Sequence, residues 1–163
     1  MTSWIVTSTL AFFLLCTYVS SSASITKLSS EAKEYMLRED AFSGISSVKE
    51  IPASVLMKFA EIAKDPNLKI ANPGEKFQAT DVISEAGLSS RRLIFGGISK
   101  EYCVLHYERG GRAHSYYVIL FKRSGNDASF LWGGVTNQKI RNLSALRELI
   151  RADALDDSRP YSW

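Results

Sequence analysis

The chain has 163 residues, with 20 Lys or Arg against 17 Asp or Glu, a formal net charge of +3. Hydrophobic residues make up 45% and charged residues 23%, which excludes a disordered or collagen-like chain. So small a positive balance does not imply nucleic acid or an anionic membrane as partner, and the length suits one domain.

The first 23 residues carry no Asp, Glu, Lys or Arg, and the first charge is Lys27. Their densest apolar run, Leu10 to Cys16, is too short for a bilayer span of about 20 residues. Ser21 and Ala23 supply the small residues of a signal-peptidase site. The expectation is therefore a cleaved signal peptide, 1–23, followed by a single domain, 24–163. The missing positive charge before the apolar run departs from the usual pattern. An uncleaved anchor and a buried helix are the competing readings. Acylation at Cys16 is disfavoured because Leu15 stands where a small residue is needed. Cleavage leaves Cys103 as the one cysteine, so no intrachain disulfide forms. That suits a bacterial periplasm better than eukaryotic secretion.

Ser30 is placed to cap a helix over about 31–42, with Leu28, Ala32, Tyr35 and Met36 as its apolar stripe and Gly44 as its stop. Pro52 opens a second helix whose Val55, Leu56, Phe59, Ile62 and Ala63 share a face. Asp65-Pro66 ends it. Residues 67–90 read as a long loop around Asn72-Pro73-Gly74, with a short strand near 77–82.

The period then changes. The segments 92–98, 101–109, 112–122 and 128–132 are rich in aromatic and β-branched residues. Gly110-Gly111 and Ser124-Gly125-Asn126-Asp127 separate the last three. Short turns between successive strands predict antiparallel pairing. Asn142 caps a last helix carrying Leu143, Leu146, Leu149 and Ile150 on one side. The expected fold is α+β: an antiparallel meander of about four strands, with two N-terminal helices and one C-terminal helix packed on one face.

Both histidines and the remaining cysteine fall in the segment 101–120. A two-residue turn at Gly110-Gly111 sets Tyr107 opposite His114, His106 opposite Ser115 and Cys103 opposite Val118. Alternation then puts Cys103 and His106 on opposite sides of the sheet, and likewise the two histidines. Cys103 and His114 lie about 13 Å apart along the strands. No catalytic set, metal site or cofactor is therefore expected.

The Ser-x-x-Lys matches at Ser24 and Ser46 lack their companion motifs, and Gly96-Gly97 has the wrong spacing for a phosphate loop. What remains is a cluster at the hairpin tip: Tyr107, Glu108, Arg109, Arg112, His114 and Tyr116. Tyr and Arg are the types enriched where proteins grip one another. The expected function is a non-enzymatic exported binding protein, an inhibitor or immunity-type partner of another envelope or secreted protein. It has no nucleic-acid partner and no stable membrane insertion after cleavage. The alternative is a small periplasmic hydrolase using His106 or His114 with a carboxylate such as Asp81 or Glu108.

Overall fold

A computed structural model describes residues 27–82 and 85–155. The expected signal segment, its cleavage site and the tail from 156 onwards lie outside them. Helix α1 spans Ser30–Leu37, β1 Ser43–Ile45, α2 Ala53–Ile62, β2 Ile70–Ala71, β3 Arg91–Ile98, β4 Tyr102–Arg109, β5 Ser115–Ser124, β6 Asp127–Thr136 and α3 Leu143–Arg151. A mostly antiparallel six-stranded sheet with three helices makes an α+β architecture.

The main path through the sheet runs β1-β3-β4-β5-β6, and each neighbour on it is antiparallel to the next. Strand β2 pairs with β3 in parallel. Strands β1 and β2 are too short to show a period of two, so the sequence pattern missed both. The first helix starts at Ser30, one residue earlier than predicted, because Ser29 rather than Ser30 is the cap that accepts the N–H of Ala32. It ends at Leu37, and Gly44 belongs to β1 instead of stopping the helix. Helix α2 begins after Pro52 as predicted and ends at Ile62, short of Asp65, with Lys64 in the left-handed region at φ 51°. Asn142 caps α3 by accepting from the N–H of Ala145.

The helices do not share one face. Val55 and Phe59 of α2 pack on Cys103, Leu105, Tyr107, Ile119 and Phe121. On the other side, Ala32 and Met36 of α1 and Leu146 and Ile150 of α3 pack with Tyr102, Val104, Val118 and Leu120. Strand β4 explains this. Its residues from Tyr102 to Glu108 are all buried, and a strand that is apolar on both sides must be covered on both. Arg147 fastens the second layer, donating from Nε to the Met36 carbonyl and from Nη2 to the Glu39 carbonyl at the end of α1.

The β4–β5 register also differs from the predicted one. Tyr107 faces Tyr117, His106 faces Val118 and Cys103 faces Phe121. The pairing has slipped by three residues, and 110–114 form the connection rather than Gly110-Gly111 alone. The reason lies in the loop before β3. Residues 77–82 form no strand but lie across the hairpin end as a strap, with Thr80 bridged to Gly111. The N–H of Gly110 donates to the Ser90 carbonyl, and that of Gly111 to the Ala79 carbonyl. A β-carbon on Gly110 would stand 1.8 Å from the Gln78 carbonyl oxygen. The glycines are needed for close approach of the strap, and at Gly111 for a φ of +123°, not for a two-residue turn.

Candidate functional site

Because the slip is odd, it changes which side chains meet at the tip. Glu108 leaves β4 on the side of the sheet that carries α1 and α3, and it is 2% exposed. A carboxylate so deeply buried requires partners on both oxygens, and it has them. Arg92, its cross-strand neighbour on β3, donates from Nε to Oε1 at 2.7 Å. His114 reaches back from the connection, and its Nε2 lies 2.8 Å from Oε2.

Arg92 is itself fixed. Its Nη1 donates to the Glu75 carbonyl at 2.8 Å, and its guanidinium lies 4.3 Å over the Phe77 ring. Phe77 meets the edge of the His114 imidazole, with centroids 5.8 Å apart. Tyr116 stands beside His114 at 5.1 Å and beside His106 at 6.2 Å. The two histidines therefore flank one tyrosine, which corrects the expectation that they lie on opposite faces.

They do different work. His106 is fully buried and doubly bonded: the N–H of Ile140 donates to Nε2 at 3.1 Å, and Nδ1 lies 3.0 Å from the Tyr117 carbonyl. An acceptor at Nε2 requires the proton on Nδ1. Burial pushes this imidazole down to about 4, so it is neutral and structural. His114 is 39% exposed at its side chain. A carboxylate at Nε2 requires the proton there, and Nδ1 makes no hydrogen bond among the described residues. The result is a solvent-facing imidazole set in orientation by a buried Glu108 that is itself paired with half-buried Arg92.

The other members of the predicted cluster separate. Tyr107 is 2% exposed, stacked on Tyr117 at 5.2 Å and packed against Phe59 on the α2 face, so it supports the hairpin from within. Arg109 is half-buried and pairs with Ser115, whereas Arg112 is exposed. Asp81 is exposed in the strap, and no bond joins it to either histidine.

Cys103 is fully buried in the α2-side core, on the opposite face from His106. Burial pushes its thiol up to about 12, leaving no thiolate at neutral pH. Among the described residues no group of three His, Cys, Asp or Glu side chains is placed to hold a metal ion, and no helix is long and apolar enough to cross a membrane.

No family model, curated protein or solved structure matches this chain. The site must be read from its own geometry. Arg92 and Phe77 are the members sequence reasoning missed. A two-residue turn at Ser99-Lys100 would set Arg92 opposite Tyr107; the observed pairing starts at Ile98 with Cys103 and a bulge lies between Leu93 and Phe95, and together these bring Arg92 opposite Glu108.

Proposed function

We propose that the protein is an exported, non-enzymatic binding module that acts as an inhibitor or immunity-type partner of another envelope or secreted protein. The hairpin tip is its contact surface. The observation that supports this is the Arg92–Glu108–His114 chain, which holds an exposed imidazole in one orientation before any partner arrives. Preorganised side chains lose little freedom on binding, so their contacts convert into affinity. Arg112 beside it adds a cation with planar hydrogen-bonding capacity, and half-buried Arg109 and Tyr116 widen the patch. Buried Tyr107 and Glu108 act as its foundation. The leader segment supports export, and mature protein beginning at Ser24 is the mass-spectrometric expectation.

The test is capture from a periplasmic extract by the mature domain. One stoichiometric partner is expected, held at least tenfold more weakly by Arg112→Glu at unchanged melting temperature, and likewise by His114→Ala, which also lowers the melting temperature because Glu108 loses one of its two partners. Equal capture by both variants, or no partner at all, would overturn the reading.

A second reading rests on one specific distance. The 2.8 Å bond between His114 and Glu108 is the carboxylate–imidazole arrangement of a general base, which favours a small hydrolase that activates water. Here His114→Ala would abolish hydrolysis of ester or peptide substrates, while Arg112→Glu would leave the chemical step intact.

A further inference from the structure

Strand β1 stands at one end of the sheet, paired with β3. A strand at an edge leaves alternate main-chain N–H and C=O groups facing outwards. The alternation can be read from the residue that follows it: the Ser46 N–H turns away from β3 and donates to Glu50 Oε2 at 2.7 Å. Two residues earlier, the N–H and C=O of Gly44 face the same way, and Gly44 is exposed. Beside it lies an open groove of about 370 Å3 between β1, β3 and the first turn of α3, with Gly44, Phe95 and Leu143 along it. Gly44 pairs with Gly97, and a β-carbon on Gly97 would meet Leu143 at 3.1 Å, so the groove opens on the α3 side. Nothing lies within 4 Å of the point where a Gly44 β-carbon would stand, and Phe95 and Leu143 are half-buried. The groove is the space that a side chain at position 44 would fill.

We propose that this edge takes an extended segment of a partner protein, which pairs with Gly44 as an added strand and lays an uncharged, branched apolar side chain in the groove. In strand addition the main-chain bonds give affinity and a pocket for alternate side chains gives specificity. The residue opposite Gly44 leaves the added strand on the side of Phe95 and Leu143, because cross-strand pairs share a face. No residue lining the groove is ionised; its polar members are Ser46, Asn142 and Ser144. A charged side chain would lose water there and find no counter-ion.

This chain does not supply that segment itself. Lys27 and Leu155 line one cavity with Trp132 of β6, at the opposite end of the sheet, about four strand spacings or 19 Å away. Eight residues follow Leu155, and crossing that distance at about 3.3 Å each uses about six of them. A chain cut after Ala23 has fewer still before Lys27. A second copy fits no better. Pairing β1 with β1 about Gly44 leaves the groove empty, and Phe42, two residues away, is already packed edge-on against Tyr35. The groove shares no residue with the hairpin tip, so its failure leaves the reading of the tip untouched.

The test uses the full mature domain, labelled with 15N, and the peptide acetyl-Thr-Ser-Thr-Leu-Thr-Ser-Thr-amide as the probe. The Gly44 amide resonance, assigned by its loss in Gly44→Val, should shift downfield and saturably as its N–H gains an acceptor. A peptide with Asp in place of the Leu should bind at least tenfold more weakly. One methylated at the Leu nitrogen should bind about fivefold more weakly, the scale of one hydrogen bond. In Gly44→Val, which fills the groove from within, the Leu143 amide should ignore the peptide. A wild-type Gly44 amide that stays fixed up to several millimolar peptide, or that moves equally with the Asp or the methylated peptide, would overturn the proposal. So would one that moves with protein concentration alone, as pairing between two copies requires. The deciding readout is the wild-type Gly44 amide, so the conclusion does not depend on a variant that folds poorly.

Discussion

Replacing Gly110 by Ala tests how the strap shapes the hairpin tip. The new β-carbon would meet the Gln78 carbonyl oxygen at 1.8 Å and the Ala79 Cα at 2.6 Å. Both obstacles are backbone, so no side-chain rotation relieves them and the strap must lift. Forced overpacking costs about 1–3 kcal/mol. Lifting the strap also breaks the bond from Gly111 to Ala79 at 3.4 Å, worth about 0.5–1.5 kcal/mol. Because a lifted strap escapes part of the clash, the terms do not add fully, and a loss of about 2–4 kcal/mol is expected. Urea unfolding followed by circular dichroism should show the midpoint fall by about 1–2 M. Gly44→Ala is the matched control: nothing lies within 4 Å of the point its β-carbon would occupy, and a change within about 0.5 kcal/mol is expected. If Gly110→Ala were as benign as Gly44→Ala, the strap would not press on the hairpin, and the explanation of the slipped register would be wrong.

Two further outcomes follow from burial. Burial holds the His106 imidazole at about 4 in the folded state, below its ordinary value near 6.5. The unfolded chain therefore binds the extra proton first, and stability is lost as pH falls from about 6.5 towards 4, by at most about 3 kcal/mol. Urea midpoints between pH 7 and 4.5 should fall accordingly, and His106→Gln should flatten that slope even if it lowers stability throughout. An unchanged slope refutes the assignment. Cys103, fully buried and with its thiol pushed up to about 12, should react with an aromatic disulfide reagent only as fast as the core opens. Rapid labelling of the native protein would contradict its placement.

Helix α2 is legible in the sequence because its signals are local: a proline at the start and apolar residues on one face. The cap of α3 at Asn142 is equally plain. The four long strands announce themselves through aromatic and β-branched runs. What is not legible depends on partners distant in sequence. The uninterrupted apolar run of β4 signals burial on both faces, yet the expected arrangement puts every helix on one. The Gly110-Gly111 pair resembles a tight hairpin turn, and only the strap from 77–82, remote in sequence, gives it another use. With the turn taken as two residues, Tyr107 belongs to the tip surface and His114 stands apart from Glu108; the longer connection reverses both. Proximity in the chain gathers the tip residues into one cluster, and the structure sorts them into a buried foundation and an exposed rim. Arg92 stays hidden because the turn after Ile98 is longer than two residues and a bulge interrupts β3, and together they bring it opposite Glu108.

A preorganised tip requires His114 to be held at Nε2 by Glu108 while His106 is held at both nitrogens inside the sheet. Long-range 15N–1H NMR of the two imidazoles at pH 7.5 reads this directly. His114 should appear as the tautomer protonated at Nε2 and His106 as the one protonated at Nδ1. Glu108→Gln should disturb the His114 pattern and leave that of His106 in place. A His114 ring that averages between tautomers in the wild-type protein, or that ignores the loss of the carboxylate, would contradict the preorganised tip.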